Sequence, residues 1–142
     1  MSQRRYRFRV SSDIANLDKV RLWGGHIARR LGFEERSVFE IEISLYEACA
    51  NVIEHAYLNR RDHYIDLTFE VKDGRAVLTI LDEGGAFDPA SLKTKDIPRI
   101  IDTEQDGGLG MFIIEACMDE ILYRRQDGRN ILELVKYLPG GR

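Results

Sequence analysis

Three polar side chains recur at four-residue intervals in the middle of the chain. Glu47, Asn51 and His55 lie in a segment whose apolar residues follow a helical period, so they would stack along one stripe of a helix. A carboxylate and an amide oxygen one turn apart can hold a hard cation together with its waters, because Mg²⁺ prefers oxygen ligands. The spacing suits metal-assisted phosphate chemistry, although a solvated helix face would show the same stripe.

A second group of candidate residues begins at Asp82, where a predicted strand ends. An aspartate in this place can accept a hydrogen bond from the exocyclic amino group of a base. Gly84 and Gly85 follow it closely, and glycines let a backbone approach a ring. Asp and Gly also form ordinary turns, so this motif alone is compatible with a base site or with a simple turn.

A glycine-rich segment forms the third candidate site. Asp106 is followed by Gly107, Gly108, Leu109 and Gly110, and a helical apolar pattern begins there. Helix N-termini present unpaired N–H groups and the positive end of the helix dipole, which attract anions. The segment could therefore bind a triphosphate, and a flexible linker is the alternative that its composition leaves open.

The elements that would position these motifs follow from hydrophobic periodicity. Ser12 and Asp13 can cap the first helix, Gly32 can end it, and Gly24 and Gly25 should weaken its middle. The pattern predicts strands at 5–10, 64–71, 75–81, 121–125 and 131–137, and helices at 14–31, 34–58 and 109–118. This order predicts an α+β fold, a two-layer α/β sandwich with a mostly antiparallel sheet and helices on one face.

Composition limits the classes of partner. The 142 residues predict a single domain, and 21 basic against 24 acidic residues give a net charge of -3, which would not attract nucleic acid. No apolar run reaches membrane-spanning length, and the first ten residues lack the features of a secretory signal. Cys49 and Cys117 both lie in apolar helical patterns. We therefore expect a cytoplasmic protein that binds neither nucleic acid nor membranes directly.

The three motifs together are more specific than any one of them. In chain order they are a helix with Glu-x-x-x-Asn, a strand that ends in Asp-x-Gly, a long loop, and Gly-x-Gly at the start of a helix. This order resembles that of the GHKL ATPases, whose Bergerat fold binds ATP. The segment from Glu47 to Tyr57, EACANVIEHAY, looks like the N-box of the anti-sigma-factor serine/threonine kinases. Phe87-Asp88-Pro89 and Met118-Asp119 extend the similarity over most of the chain.

This resemblance implies a role for each matching position, with ATP and Mg²⁺ as cofactors. Glu47 would be the catalytic base, Asn51 the Mg²⁺ ligand, and Asp82 the carboxylate that recognises adenine. His55 would support the N-box, Gly84 and Gly85 would line the adenine pocket, and residues of about 88–106 would form a lid. The phosphates would be bound by Gly107, Gly108, Leu109 and Gly110.

The resemblance also implies the partners. A kinase of this family phosphorylates a serine of a STAS-domain anti-sigma-factor antagonist and sequesters a sigma factor. The chain departs from the family pattern at Ala86, which replaces a second glycine, and at Glu104 to Asp106, where a basic residue can precede the last glycine motif. Lys93, Lys95 or Arg99 could meet the γ-phosphate instead. An ATP-dependent binding module without catalysis and a switch kinase that controls a phosphatase are the alternatives. The aromatic residues of the first strand and first helix could belong to the core, or these two elements could form a homodimer or sigma-binding surface.

Overall fold

A computed structural model describes residues 4–89 and 108–140 of the chain. In these residues the strands are β1 (Arg4–Ser11), β2 (Tyr64–Lys72), β3 (Arg75–Asp82), β4 (Glu120–Gln126) and β5 (Arg129–Tyr137), and the α-helices are α1 (Leu17–Arg30), α2 (Glu35–Asn51) and α3 (Gly108–Cys117). A short 3-10 turn, Ile14–Asn16, precedes α1, and a π-helical turn, Val52–Ala56, follows α2. None of the described helices is both long enough and apolar enough to cross a membrane.

The strands form one sheet in the order β1-β2-β3-β5-β4, and each neighbouring pair is antiparallel. Alternate residues of β2 and β3, among them Ile65, Leu67, Leu78 and Ile80, are buried on one face. Apolar residues of α1 and α2 join the same core cluster, so these helices cover that face. The predicted two-layer α+β architecture is confirmed.

Both hairpins have the turns that their sequences predict. Asp73 and Gly74 connect β2 to β3 with φ angles of 53° and 74°, and Asp127 and Gly128 connect β4 to β5 with φ angles of 54° and 75°. Positive φ at both central residues matches the right-handed twist of the flanking strands, and Asp-Gly adopts it at low cost. These turns fix the register of β2 with β3 and of β4 with β5, and the pairing of β3 with β5 places the end of β3 beside the start of β5.

The first helix differs from the predicted one in how its glycines pack and in which of its apolar residues are buried. Asp13 caps the 3-10 turn by accepting a 2.9 Å hydrogen bond from the backbone N–H of Ala15. Gly25 lies against α2, where a Cβ atom would come within 2.0 Å of Glu42 Oε2, so it lets the two helices approach closely. Ile14 and Leu22 belong to the apolar pattern from which the helix was predicted, but they are 67% and 56% exposed and are not core residues.

The second helix is shorter than predicted because its last turn is wound differently. The apolar stripe expected from 34 to 58 is buried, but α-helical geometry ends at Asn51. In the π-helical turn the N–H of Tyr57 donates to the carbonyl of Val52 at 2.9 Å, a bond that spans five residues. Leu58 and Asn59 then adopt positive φ angles of 53° and 65° and end the helix. Such turns occur frequently at functional sites.

A close backbone contact joins the π-helical turn to the loop after β3. The carbonyl of Ala56 accepts a 3.0 Å hydrogen bond from the N–H of Gly85. A Cβ atom on Gly84 would lie 2.5 Å from the same carbonyl oxygen, whereas one on Gly85 would lie at 3.9 Å. Only glycine fits at position 84 while this contact is kept, because the obstructing atom belongs to the backbone.

We expect Gly84→Ala to destabilise the fold and Gly85→Ala to leave its stability nearly unchanged. Forcing a methyl group against the Ala56 carbonyl should lower the free energy of unfolding by about 1–3 kcal/mol. At Gly85 the methyl group meets only ordinary van der Waals distances, so the change should stay below about 1 kcal/mol. Urea denaturation of both variants measures the difference, and equal effects would show that the Ala56 contact does not constrain the fold.

Candidate functional site

The stripe of polar residues on α2 faces the protein interior. Asn51 is 4% exposed, and Glu47 and His55 are half-buried, so the solvated helix face is not what the structure shows. Glu47 and Asn51 lie in the α-helical part, while His55 belongs to the π-helical turn. The ring of His55 stacks on that of Phe87 with centroids 5.1 Å apart.

The side chain of Asn51 retains hydrogen-bonding capacity in a buried place. Among the described residues its Nδ2 atom has no hydrogen-bond partner. An unpaired buried amide is costly and therefore points to a site where a ligand completes it. The described residues contain no group of three or more His, Cys, Asp and Glu side chains that could hold a metal by themselves. The unpaired Nδ2 atom is a donor that suits a phosphate or water oxygen, and the Oδ1 atom of the same amide is the kind of ligand that Mg²⁺ takes beside phosphates and waters.

Glu47 lies directly against the first turn of α3. A Cβ atom on Gly110 would come within 2.6 Å of Glu47 Oε1, so glycine at this position makes room for the carboxylate. Burial raises the pKa of Glu47 above its ordinary value. The structure therefore places a carboxylate with a raised proton affinity beside the N-terminus of a helix, where N–H groups favour anions.

The glycine-rich segment begins a helix as predicted. Gly108, Leu109 and Gly110 form the first turn of α3, and the side chain of Leu109 is 44% exposed. Gly107 lies outside the described residues. The predicted lid also lies outside them except for its first residues, Asp88 and Pro89, and so do Lys93, Lys95, Arg99 and Glu104 to Asp106.

Asp82 ends β3 as a buried carboxylate that is 2% exposed. Its Oδ1 atom accepts hydrogen bonds from the N–H of Gly84 at 2.8 Å and from Asn130 Nδ2 at 2.9 Å. Burial raises the pKa of Asp82, while these two hydrogen bonds and the charge of Arg125 act in the opposite direction. The carboxylate is oriented by its neighbours and still belongs to a pocket between α2 and the sheet.

That pocket is narrow in this conformation. Its lining includes Asn51, Asp82 and Asn130 together with Phe87 and Pro89, and it encloses about 10 Å³. Such a volume holds about one water molecule. A flat base is larger than this volume, so it could lie beside Asp82 only if side chains that line the pocket, such as that of Phe87 in the segment after Gly85, turned away.

His55 contacts this same segment. Its Nε2 atom lies 3.6 Å from Glu54 Oε2, too far for a hydrogen bond, and has no hydrogen-bond partner among the described residues. The 16° angle between the rings of His55 and Phe87 is that of a stacked pair. His55 therefore connects the end of the α2 segment with the residues that close the pocket.

Two residues near the site were not predicted from the sequence. The hydroxyl of Tyr57 donates to the carbonyl of Tyr64 at 2.6 Å and accepts from the N–H of Glu83 at 2.8 Å, which connects the π-helical turn with both strand ends. Asn130 is 3% exposed and faces Asp82 across the sheet. A signal for Asn130 exists, because asparagine is unusual in strands and this one occupies a buried position of the period-two pattern.

Comparison with known proteins agrees with this geometry. A model of the histidine kinase-like ATPase domain family matches residues 10–136. The serine-protein kinase RsbW of Bacillus subtilis is 30% identical over 128 residues, which cover 87% of this chain and 79% of that protein. The kinase of the same name from Bacillus cereus strain G9842 is 31% identical over 123 residues, or 84% and 76% of the two chains.

Solved structures show the same fold at low sequence identity. The histidine kinase domain of a blue-light activated histidine kinase from Erythrobacter litoralis EL346 superposes with a TM-score of 0.54 at 15% identity, over 88% of this chain and 60% of that one. The histidine kinase AdeS of Acinetobacter baumannii gives a TM-score of 0.50 at 16% identity, over 97% and 69%. With the matched family model and the RsbW relatives, the chain belongs to the histidine kinase-like ATPase family and, within it, to the group of the RsbW serine-protein kinases.

Proposed function

We propose that this chain is an ATP-dependent kinase that phosphorylates a serine of a STAS-domain anti-sigma-factor antagonist and sequesters a sigma factor. One observation carries the proposal: the Glu47 carboxylate packs against the first turn of α3, and Asn51 presents an unpaired amide one turn further along α2. The proposed base, the proposed metal ligand and the helix end proposed to bind phosphate would therefore lie close together. The serine-protein kinases among the relatives support the choice of phosphoacceptor.

ATP would lie with its base at Asp82 and its phosphates at the N-terminus of α3. The carboxylate of Asp82 would accept a hydrogen bond from the exocyclic amino group of adenine, and the N–H groups of Gly108 to Gly110 would donate to phosphate oxygens. The amide oxygen of Asn51 would hold Mg²⁺, which neutralises phosphate charge when bound. The nucleotide would therefore extend along α2, from the end of β3 to the start of α3.

Glu47 would act on the attacking hydroxyl. The serine oxygen of the antagonist forms a bond to the γ-phosphorus, the bond from that phosphorus to the bridging oxygen breaks, and ADP leaves. The hydroxyl proton passes to Glu47, whose raised pKa makes it a better base than an exposed glutamate. The helix N-terminus stabilises negative charge on the transferred group.

An exposed surface on α1 supports the protein-binding part of the proposal. Tyr6, Leu22, Trp23 and Ile27 line a cleft of about 630 Å³ between β1 and α1, and Lys19, Arg29 and Arg30 also line it. Aromatic and arginine side chains are enriched in protein interfaces. We assign this cleft to the sigma factor, while the predicted homodimer stays a prediction.

The catalytic role is tested by Glu47→Gln, which keeps the shape of the side chain and removes the base. We expect transfer of labelled γ-phosphate from Mg-ATP to a STAS-domain antagonist to fall by about 100-fold or more, since general bases contribute at least this much. ATP affinity should change little. Glu35→Gln, which alters an exposed carboxylate at the start of the same helix, serves as the matched control and should retain full activity.

Each other outcome has a definite meaning. Transfer that persists in Glu47→Gln would remove Glu47 from the mechanism. A wild-type protein that binds ATP and the antagonist but transfers no phosphate would be an ATP-dependent binding module. Phosphorylation of a regulator of a phosphatase, with no effect on any sigma factor, would identify a switch kinase instead.

The raised pKa of Glu47 predicts how transfer depends on pH. A base must be deprotonated, so the rate should fall as the pH decreases through the raised pKa. The midpoint of this acidic limb should lie above about 4.3, the value of an unperturbed glutamate. The rate of transfer at saturating ATP measures it, with thermal unfolding followed at each pH. A midpoint at or below the ordinary value, in a folded protein, would contradict the assignment.

A further inference from the structure

We infer that Asn130 is a positioning residue for base recognition: it fixes the Asp82 carboxylate and the loop from Gly84 to Phe87 in one arrangement, and Arg125 and Tyr123 fix Asn130 in turn. The inference rests on the proposed binding of adenine at Asp82. It adds a second strand, β5, and the edge strand β4 to a site that the sequence motifs confine to α2, β3 and α3.

The donor side of the Asn130 amide connects two parts of the base site. Asn130 lies opposite Asp82 in the register of β3 and β5. Its Nδ2 atom donates to Asp82 Oδ1 at 2.9 Å and to the carbonyl of Gly85 at 2.8 Å. One side chain therefore sets the position of the carboxylate relative to the loop that follows it.

The acceptor side of the amide receives donors from β4 and from the loop. Asn130 Oδ1 accepts hydrogen bonds from the hydroxyl of Tyr123 at 2.6 Å, from Arg125 Nη1 at 3.1 Å and from the N–H of Phe87 at 3.3 Å. Arg125 Nη1 also donates to the carbonyl of Gly84 at 3.0 Å. The edge strand thus contacts the loop both directly and through Asn130.

The partners allow only one orientation of the amide. Arginine can only donate, whereas an ionised carboxylate and a carbonyl oxygen can only accept. Turning the amide over would place its NH₂ group against Arg125 and its oxygen against Asp82, which would break every bond except the one to the Tyr123 hydroxyl, because a hydroxyl can also accept. Both amide hydrogens are used in the observed orientation, so Asn130 has no donor left for a base and acts through Asp82.

Neither an aspartate nor a leucine would combine these properties at position 130. An aspartate would place a second carboxylate beside the buried Asp82, and two like charges in contact cannot both ionise easily. A leucine would remove both donations, so the Gly85 carbonyl would lose the Asn130 donor and Asp82 Oδ1 would keep only the N–H of Gly84, which is costly in a buried place. Asparagine fits this position because it carries two donor hydrogens and an acceptor oxygen on one short side chain.

The inference is tested with two nucleotides that differ at one group. ATP carries the exocyclic amino group that Asp82 would recognise, and purine riboside triphosphate lacks it. We expect the wild type to prefer ATP, and Asn130→Ala to lower ATP affinity by about tenfold while lowering the affinity for the analogue much less. Arg125→Ala should also reduce the preference for ATP over the analogue, but less than Asn130→Ala does.

Arg124→Ala is the matched control. Arg124 is the neighbour of Arg125 on β4, points to the opposite face and lies 3.5 Å from Glu133, so neither affinity should change. If Asn130→Ala weakens both nucleotides by the same factor, Asn130 only maintains packing and the inference fails while nucleotide binding stands. If Asn130→Ala does not fold, Arg125→Ala still tests the inference, because Arg125 is exposed and its truncation should not prevent folding. A wild type that binds neither nucleotide overturns the proposed function as well.

Discussion

The contact between the Ala56 carbonyl and the glycines after β3 is the constraint on which the rest of the site depends. The π-helical turn leaves this carbonyl available to the N–H of Gly85 at 3.0 Å. Gly84 comes so close to it that a Cβ atom would lie at 2.5 Å. Because α2 continues into that turn and Asp82 precedes the glycines, this contact sets the distance between the amide of Asn51 and the carboxylate that would recognise a base.

The proposed phosphate end of the site is held by contacts at both ends of α3. Its N-terminus meets Glu47 through Gly110, and its C-terminus is capped by Lys136, whose Nζ atom donates to the carbonyl of Cys117 at 2.6 Å. Lys136 also pairs with Glu40 of α2 at 2.9 Å. A cation at the end of a helix is favourable for its dipole. The helix turn proposed to bind phosphate is therefore held against α2 partly by interactions at the other end of α3.

Much of the fold could be predicted from the sequence because its signals are local. The period-two strands, the Asp127-Gly128 turn and the order of the three motifs depend on neighbouring residues, and the family resemblance added the roles. The π-helical turn could not be predicted, because Ala56 continues the helical apolar period and its contact with Gly85 joins segments that are distant in the sequence. Asn130 was missed for a similar reason, since its partner Asp82 is 48 residues away and becomes adjacent only through strand register.

The central claim is that a nucleotide binds between α2 and the loop after Asp82. The most direct measurement is a two-dimensional ¹H–¹⁵N spectrum of the labelled protein during titration with Mg-ATP. The account predicts that the backbone amides of Gly84 and Gly85 and the side-chain amides of Asn51 and Asn130 shift together at one saturating concentration. Shifts confined to α1 and β1, or no shifts at all, would contradict it.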